Sequence, residues 1–296
     1  MDNIGLQGDN GLSSNLMHGK KCVVTGSSSG IGKATALGLA KAGASVILVC
    51  RSQEKGEGAM HEIIQKSGNQ NVSLMVADLS SQNAIRRLAN DLSASHDKLH
   101  VLLNNAGVFL AKRHLTEDGL EMTLAVNYLA PFLLTNLLLP TLKASAPSRI
   151  VTVASSAHYG ATIEFDNLQG ERGYSGFRAY SQSKLADILF TYELARRLEG
   201  TNITANCLHP GVVRTNLGEN NWWMFRLALT LFAPFLPSPE GGARTSIYLT
   251  TSKDVEGVSG KYLAKEKEAK SSKESYDVSV SKRLWDVSVG LTQLSK

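Results

Sequence analysis

Lys21-Cys22-Val23-Val24-Thr25-Gly26-Ser27-Ser28-Ser29-Gly30-Ile31-Gly32 is the stretch that decides how this chain folds. Its first five residues form a short apolar run of strand type, and Lys33 to about Ala42 has the composition of a helix. A strand feeding a glycine-rich turn that opens a helix makes an anion site. Bare backbone N–H groups and the positive end of the helix face the phosphates there. Gly26 permits the tight turn, Gly30 the close approach of a pyrophosphate, and Gly32 the packing of the helix on the sheet. Ser28, Ser29 and Ile31, between these glycines, are expected among the cofactor contacts. The spacing is G-x-x-x-G-x-G, which differs from the commoner G-x-G-x-x-G.

Outward from this turn, apolar strand-like runs alternate with helical ones. Strands are predicted over Ser45 to Val49, Val72 to Ala77, Val101 to Leu103, Arg149 to Ala154, Ile203 to Leu208 and Lys261 to Leu263. Helices are predicted over Gln53 to Lys66, Asp118 to Lys143 and Phe177 to Leu198, with another restarting at Pro239. The alternation predicts one α/β domain over residues 20–264, doubly wound, its sheet mostly parallel with helices on both faces. Residues 1–19 read as a flexible polar tail without an apolar core. Residues 265–296 form a C-terminal extension whose Lys265 to Lys282 portion reads as a charged surface loop.

The predicted strand ends carry the candidate binding groups. Arg51 follows Cys50 where an acid would hold a ribose 2′-OH; a guanidinium there receives a 2′-phosphate instead, which favours NADP(H). Asp78, followed by Leu79, can accept from an adenine amino group or, with Ser80 and Ser81, cap the next helix. Asn105, Ala106 and Gly107 are small and polar, as the end of a strand beside a cofactor should be. Pro210 and Gly211 make a fixed turn, after which Val213 and Thr215 can reach a further anionic or amide group. Ser155 and Ser156 offer hydroxyls to a carbonyl oxygen, or are ordinary turn residues. Pro131 has no N–H for the carbonyl of Asn127, which is expected to be left free inside a helix, or merely to mark a kink.

Tyr180 and Lys184 lie four residues apart on a predicted helix and so share a face. An ammonium beside a phenol favours the phenolate, the form that takes up and returns a proton. Residues 216–237 hold Trp222, Trp223, Met224, Phe225, Leu227, Leu229, Phe232 and Phe235. They suit an apolar lid over a greasy substrate, with contact to a membrane surface through 222–236, or a plain buried helix.

Composition narrows the classes. The 296 residues are 43% hydrophobic with a formal net charge of +5. The basic residues are scattered among acids without aromatic interleaving, which argues against nucleic-acid binding. The charge suits an anionic cofactor or an acidic membrane surface and decides neither. Three cysteines in apolar runs, with no Cys-x-x-Cys, point to a reducing compartment, and seven dispersed histidines give no metal-ligand spacing. A cytoplasmic protein is expected, peripheral to a membrane at most. Apolar helix faces near Leu133 and Leu189 suit a homodimer.

Taken together, Thr25-Gly26-Ser-Ser-Ser-Gly30-Ile31-Gly32, Asn104-Asn105-Ala106-Gly107, Asn127, Ser155-Ser156, Tyr180-Ser-Gln-Ser-Lys184 and Pro210-Gly211 resemble the short-chain dehydrogenase/reductase family, in the family's order. Arg149 to His158, Asn167-Leu-Gln-Gly170 and Arg283 to Ser288 look more narrowly like its retinol dehydrogenase branch. The resemblance implies a Rossmann-type fold and a tetrad. Tyr180 would be the acid/base, and Lys184 its tuner and a hold on the nicotinamide ribose. Ser156 would polarise the carbonyl, and Asn127 would anchor a water through its main chain. It implies hydride transfer with NADP(H) between a lipophilic aldehyde or ketone, such as retinal, and its alcohol. A protochlorophyllide-type reductase of the same fold, or an NADP(H)-binding scaffold without turnover, are the alternatives. Members of the branch commonly carry an N-terminal membrane anchor, which residues 1–19 are not expected to provide.

Overall fold

The computed structural model describes residues 16–211 and 238–294. Its strands are β1 (Lys21–Thr25), β2 (Ser45–Cys50), β3 (Val72–Val76), β4 (Val101–Asn104), β5 (Ser148–Val153), β6 (Ile203–His209), β7 (Tyr262–Ala264) and β8 (Lys267–Glu268). They form one sheet in the order β3-β2-β1-β4-β5-β6-β7-β8, parallel throughout except for β8 against β7. The order reverses between β1 and β4, so a crevice opens at the carboxyl ends of those two strands, where ligands bind in open α/β sheets.

Period-two alternation sends neighbouring residues to opposite faces. Ile47, Val23, Leu102, Ile150 and Ala205 stand in one cross-strand row, and all are buried. This row packs against α3 (Gln82–Ser95), α5 (Ala130–Ala144) and α6 (Gly176–Arg197) through Leu88, Phe132 and Leu189. The next row, Leu48, Val24, Leu103 and Val151, meets α1 (Gly30–Lys41), α2 (Gln53–Ser67) and α7 (Pro239–Thr251) through Leu39, Ile63 and Leu249. Both faces are therefore dry, as near-continuous Val/Ile/Leu strands require.

Most helices start on a side-chain cap: Ser52 accepts from Lys55 N, Ser81 from Ala84 N, Ser175 from Arg178 N and Ser238 from Gly241 N. Ser29, at the start of α1, makes no such bond, so the first N–H groups of that helix lack a side-chain acceptor of their own.

Four expectations change. The continuous helix predicted over Asp118 to Lys143 is instead a turn α4 (Met122–Leu124) capped by Glu121, a π-helical turn Ala125–Leu129, and α5. Together they make an apolar stretch long enough to cross a membrane, but 78% of it is buried inside the fold, as a core helix is. The charged surface loop at Lys265 to Lys282 is only partly that. β8, a 3-10 turn Lys273–Tyr276 and the start of α8 (Val278–Leu291) fall in it, and Ser271, Ser272 and Ser275 are buried. Helix α8 then lies on the apolar side of α5 and α6. Trp285 meets Phe132 edge-on at 4.9 Å and stacks on Phe190 at 5.9 Å, with the Arg197 guanidinium 4.1 Å above its ring. Leu133 and Leu189, on which a homodimer was expected to rest, are fully covered within the chain. At the other end, Met17 is buried and donates its N–H to the Ala42 carbonyl, so the expected tail is docked by residue 17.

Candidate active site

The parallel strands carry the predicted site residues to one edge of the sheet. At β1, Gly26 has φ +65° and donates its N–H to the Val49 carbonyl at 2.9 Å. A Cβ on Gly26 would fall 2.8 Å from the Ala106 Cα, and one on Gly32 2.4 Å from both the Asn105 side-chain nitrogen and the Gly26 carbonyl oxygen. Gly32 therefore serves the fit between the turn and the end of β4 more directly than the fit of helix to sheet. Gly30, at φ +57°, faces open space where a Cβ would stand. Ser28 is half-buried, Ser29 exposed and Ile31 buried. An uncapped helix start, a left-handed glycine and open space above it fit a phosphate-bearing dinucleotide.

Thr25, unremarked in the sequence, ties this turn to its neighbour. Its hydroxyl donates to the Leu103 carbonyl at 3.3 Å and accepts from the N–H groups of Asn105 (2.9 Å) and Ala106 (3.1 Å). The Asn105 amide returns a bond to the Thr25 carbonyl at 2.8 Å. Arg51 stands exposed just past the end of β2. Asp78 is exposed, and its Oδ1 accepts from the N–H and hydroxyl of Ser80, while Ser81 and Asp118 accept from the first N–H groups of α3. Leu79 packs at the edge of the core. Pro210 and Gly211, with Gly211 at φ +87°, follow β6; Val213, Thr215 and the expected lid at 216–237 lie outside the described residues.

Asn127 is buried in the π-helical turn. Its side chain reaches three groups: Oδ1 accepts from Val108 N at 2.7 Å, and Nδ2 donates to the Val108 carbonyl and to the Ser183 hydroxyl, both at 3.0 Å. Ser183 in turn donates to the Tyr180 carbonyl at 2.7 Å. Asn127 thus ties the loop after β4 to the turn of α6 that bears Tyr180. A one-turn widening is a frequent device at functional sites, and here Pro131 supplies no N–H to the Asn127 carbonyl.

Ser155 uses its hydroxyl to accept from Ala157 N at 3.2 Å, whereas the Ser156 hydroxyl has no hydrogen-bond partner among the described residues. Two histidines fix this strand end. His209 Nδ1 accepts from Ser156 N at 3.1 Å. His158 donates from Nδ1 to the Ser155 carbonyl at 2.6 Å and accepts at Nε2 from Ser272 N at 3.0 Å, so it is neutral. Burial depresses the basicity of both rings.

On α6 the Lys184 ammonium is buried and sits 5.9 Å from the Tyr180 ring centroid. It donates to the Val153 carbonyl at 2.9 Å and to Asp187 Oδ2 at 2.9 Å. Burial works against its charge, but Asp187 and Tyr180 hold it above the ordinary lysine value. Burial pushes the Asp187 carboxyl up to about 6, with Lys184 pulling against that, so both groups are ionised near neutral pH. Phe109 closes the other side of Tyr180 edge-on at 5.6 Å. Asp187, Ser183 and the two histidines were missed in the sequence: a Lys-x-x-Asp spacing was visible, but nothing marked it as buried. Among the described residues, no cluster of His, Cys, Asp and Glu is placed to hold a metal ion.

A buried lysine beside a phenol, an uncommitted serine hydroxyl and an open glycine cradle on one sheet edge can hold a dinucleotide and exchange a proton with oxygen. The chain is similar to known proteins. The sequence model described as short chain dehydrogenase matches residues 20–223. "Retinol dehydrogenase 14" of Mus musculus is 47% identical over 287 residues, covering 92% of this chain and 86% of the relative. "Retinol dehydrogenase 11" of Homo sapiens is 46% identical over 276 residues, covering 93% and 86%. Among solved structures, a protein from Mycobacterium paratuberculosis aligns with TM-score 0.76 at 33% identity over 93% of this chain and 94% of its own. The Pseudomonas aeruginosa RhlG/NADP complex aligns with TM-score 0.68 at 28% identity, over 84% and 96%. The chain belongs to the short-chain dehydrogenase/reductase family and is an oxidoreductase acting between an alcohol and a carbonyl.

Proposed function

We propose that the chain interconverts a lipophilic aldehyde or ketone, retinal-like, and its alcohol with NADP(H), using Tyr180 as acid/base. The observation that carries this reading is the Lys184 ammonium, buried and pinned beside the Tyr180 ring. The names of the relatives at 44–47% identity supply the retinoid class, and the exposed Arg51 after β2 supplies the preference for a 2′-phosphate.

Gly26, Gly30, Gly32, Arg51, Asp78, Asn105, Ala106, Gly107, Pro210 and Gly211 would line the dinucleotide. When bound it supplies the hydride donor or acceptor. In the reducing direction Tyr180 hands its phenolic proton to the substrate oxygen, and the resulting phenolate is stabilised by Lys184. Ser156 donates its hydroxyl hydrogen to the same oxygen from a strand end that His209 keeps in place. Asn127, through Ser183, fixes the height of Tyr180 on α6.

The test is NADPH consumption against all-trans-retinal and a series of aldehydes and ketones of graded chain length, run in parallel with NADH. Turnover that rises with apolar chain length and prefers NADPH is expected. Consumption of neither cofactor with any of these carbonyls would refute the proposal.

A further inference from the structure

We propose that Asp187 is a positioning residue. Its carboxylate keeps the Lys184 ammonium charged and aimed, and thereby sets the pH range over which Tyr180 exchanges its proton. The proposal rests on the reading of Tyr180 as acid/base but does not depend on which carbonyl is the substrate.

Asp187 lies one turn beyond Lys184 on α6, on the same face, and its side chain is 0% exposed against 6% for Lys184. Oδ2 takes the ammonium at 2.9 Å, while the buried Oδ1 accepts from no group among the described residues. Among the described residues Lys184 is thus the whole of this carboxylate's compensation. For packing alone the arrangement is a poor choice, because apolar side chains of equal volume serve as well or better than a buried ion pair. It makes sense as an electrostatic device.

An ammonium has three N–H donors in a tetrahedral array. Val153 and Asp187 take two and fix the direction of the third. Also near Nζ are the Tyr180 ring, its centroid 5.9 Å away, and Gly107, whose missing Cβ would stand 3.9 Å from it. The other groups facing Asp187 are Cys207 on β6 and Tyr128 in the π-helical turn. Both are buried, and the carboxylate, adding to burial, discourages their ionisation. They stay neutral, so among the described residues the local charge is that of Asp187, Lys184 and Tyr180. Removing the negative member lowers the proton affinity of the other two.

Asp187→Asn keeps the shape and deletes the charge. In NADP-dependent oxidation of retinol, the acid limb of its pH–rate profile is expected to move to lower pH by about one unit. Asp187→Glu, which restores a charge, is expected to move it back. The same shift is read without turnover, as the pH at which tyrosinate absorbance appears relative to Tyr180→Phe in the same background. Profiles that superimpose on the wild type in a folded Asn variant would overturn the proposal. A shifted tyrosinate titration in a protein that turns over no carbonyl would instead refute the assigned reaction and leave Asp187's role standing. Should the Asn variant not fold, carbon-13 NMR of the Asp187 carboxyl in the wild type and in Lys184→Gln decides. An upward move of its titration on losing the ammonium supports the coupling, and an unmoved one overturns it.

Discussion

The backbone N–H of Ser272 donates to Nε2 of His158 at 3.0 Å, and through that ring the C-terminal segment holds the end of β5 at Ser155, beside the candidate site. The ring must be neutral to accept, and burial keeps its proton affinity below that of a free histidine. The unfolded chain therefore binds a proton that the folded one refuses. The stability this confers is present above the free histidine range near ~6.5 and is lost as pH falls through the lower folded value. Thermal melting from pH 8 to pH 5 should show a falling midpoint. In His158→Asn the fall should be shallower, from a start lowered by about 1–3 kcal/mol for the lost buried bonds. An unchanged slope would place the acid sensitivity on His96, His100 or His209, which are shifted the same way.

Tyr180→Phe removes one hydroxyl that has no hydrogen-bond partner among the described residues, so folding should be untouched. Turnover is expected to drop on the order of 10²–10⁴-fold, with NADPH binding retained. Steady-state kinetics paired with cofactor fluorescence titration would check it, and equal activity would remove the proposed acid.

Arg51→Ala should cost the NADPH preference and little else, since Arg51 is exposed. A charge-assisted phosphate contact is worth about 1.5–3 kcal/mol, so the ratio of kcat/KM for NADPH over NADH should fall by roughly 10- to 100-fold. A ratio that does not move would transfer the selectivity to another residue.

Gly32→Ala tests the joint between the glycine turn and the end of β4. The new methyl would press on the Gly26 carbonyl oxygen, which cannot swing away as a side-chain tip can. Overpacking of this kind costs about 1–3 kcal/mol. Both a lower melting midpoint and weakened NADPH affinity are expected, whereas Gly58→Ala, with nothing within 4 Å of the added atom, should change neither.

How far the sequence could be read follows from what each feature needs. Gly26-to-Gly32 and Tyr180-to-Lys184 were legible because backbone conformation and helix pitch tie a spacing to a geometry. The parallel sheet was legible from its apolar runs, but the strand order was not, since no local signal says which strands neighbour. Glu121 and the π-helical turn were hidden inside what looked like one long apolar helix. Asp187 and Ser183 went unmarked because burial on a central helix depends on what packs over it. The serines at 271, 272 and 275 looked solvent-bound among lysines. They are buried because Tyr192 and His158 meet Ser271 and Ser272 across long sequence distances, while Ser275 bonds to both serines locally.

Helix α8 closes the wall formed by α5 and α6, and it is synthesised after both. A nascent chain complete through β7 would therefore show bare aromatic surface at Phe132 and Phe190. Premature stop codons just short of Trp285 should for that reason be read out as chaperone retention or degradation rather than as an altered catalyst, although Tyr180 and Lys184, the proposed acid–base pair, would already have been translated.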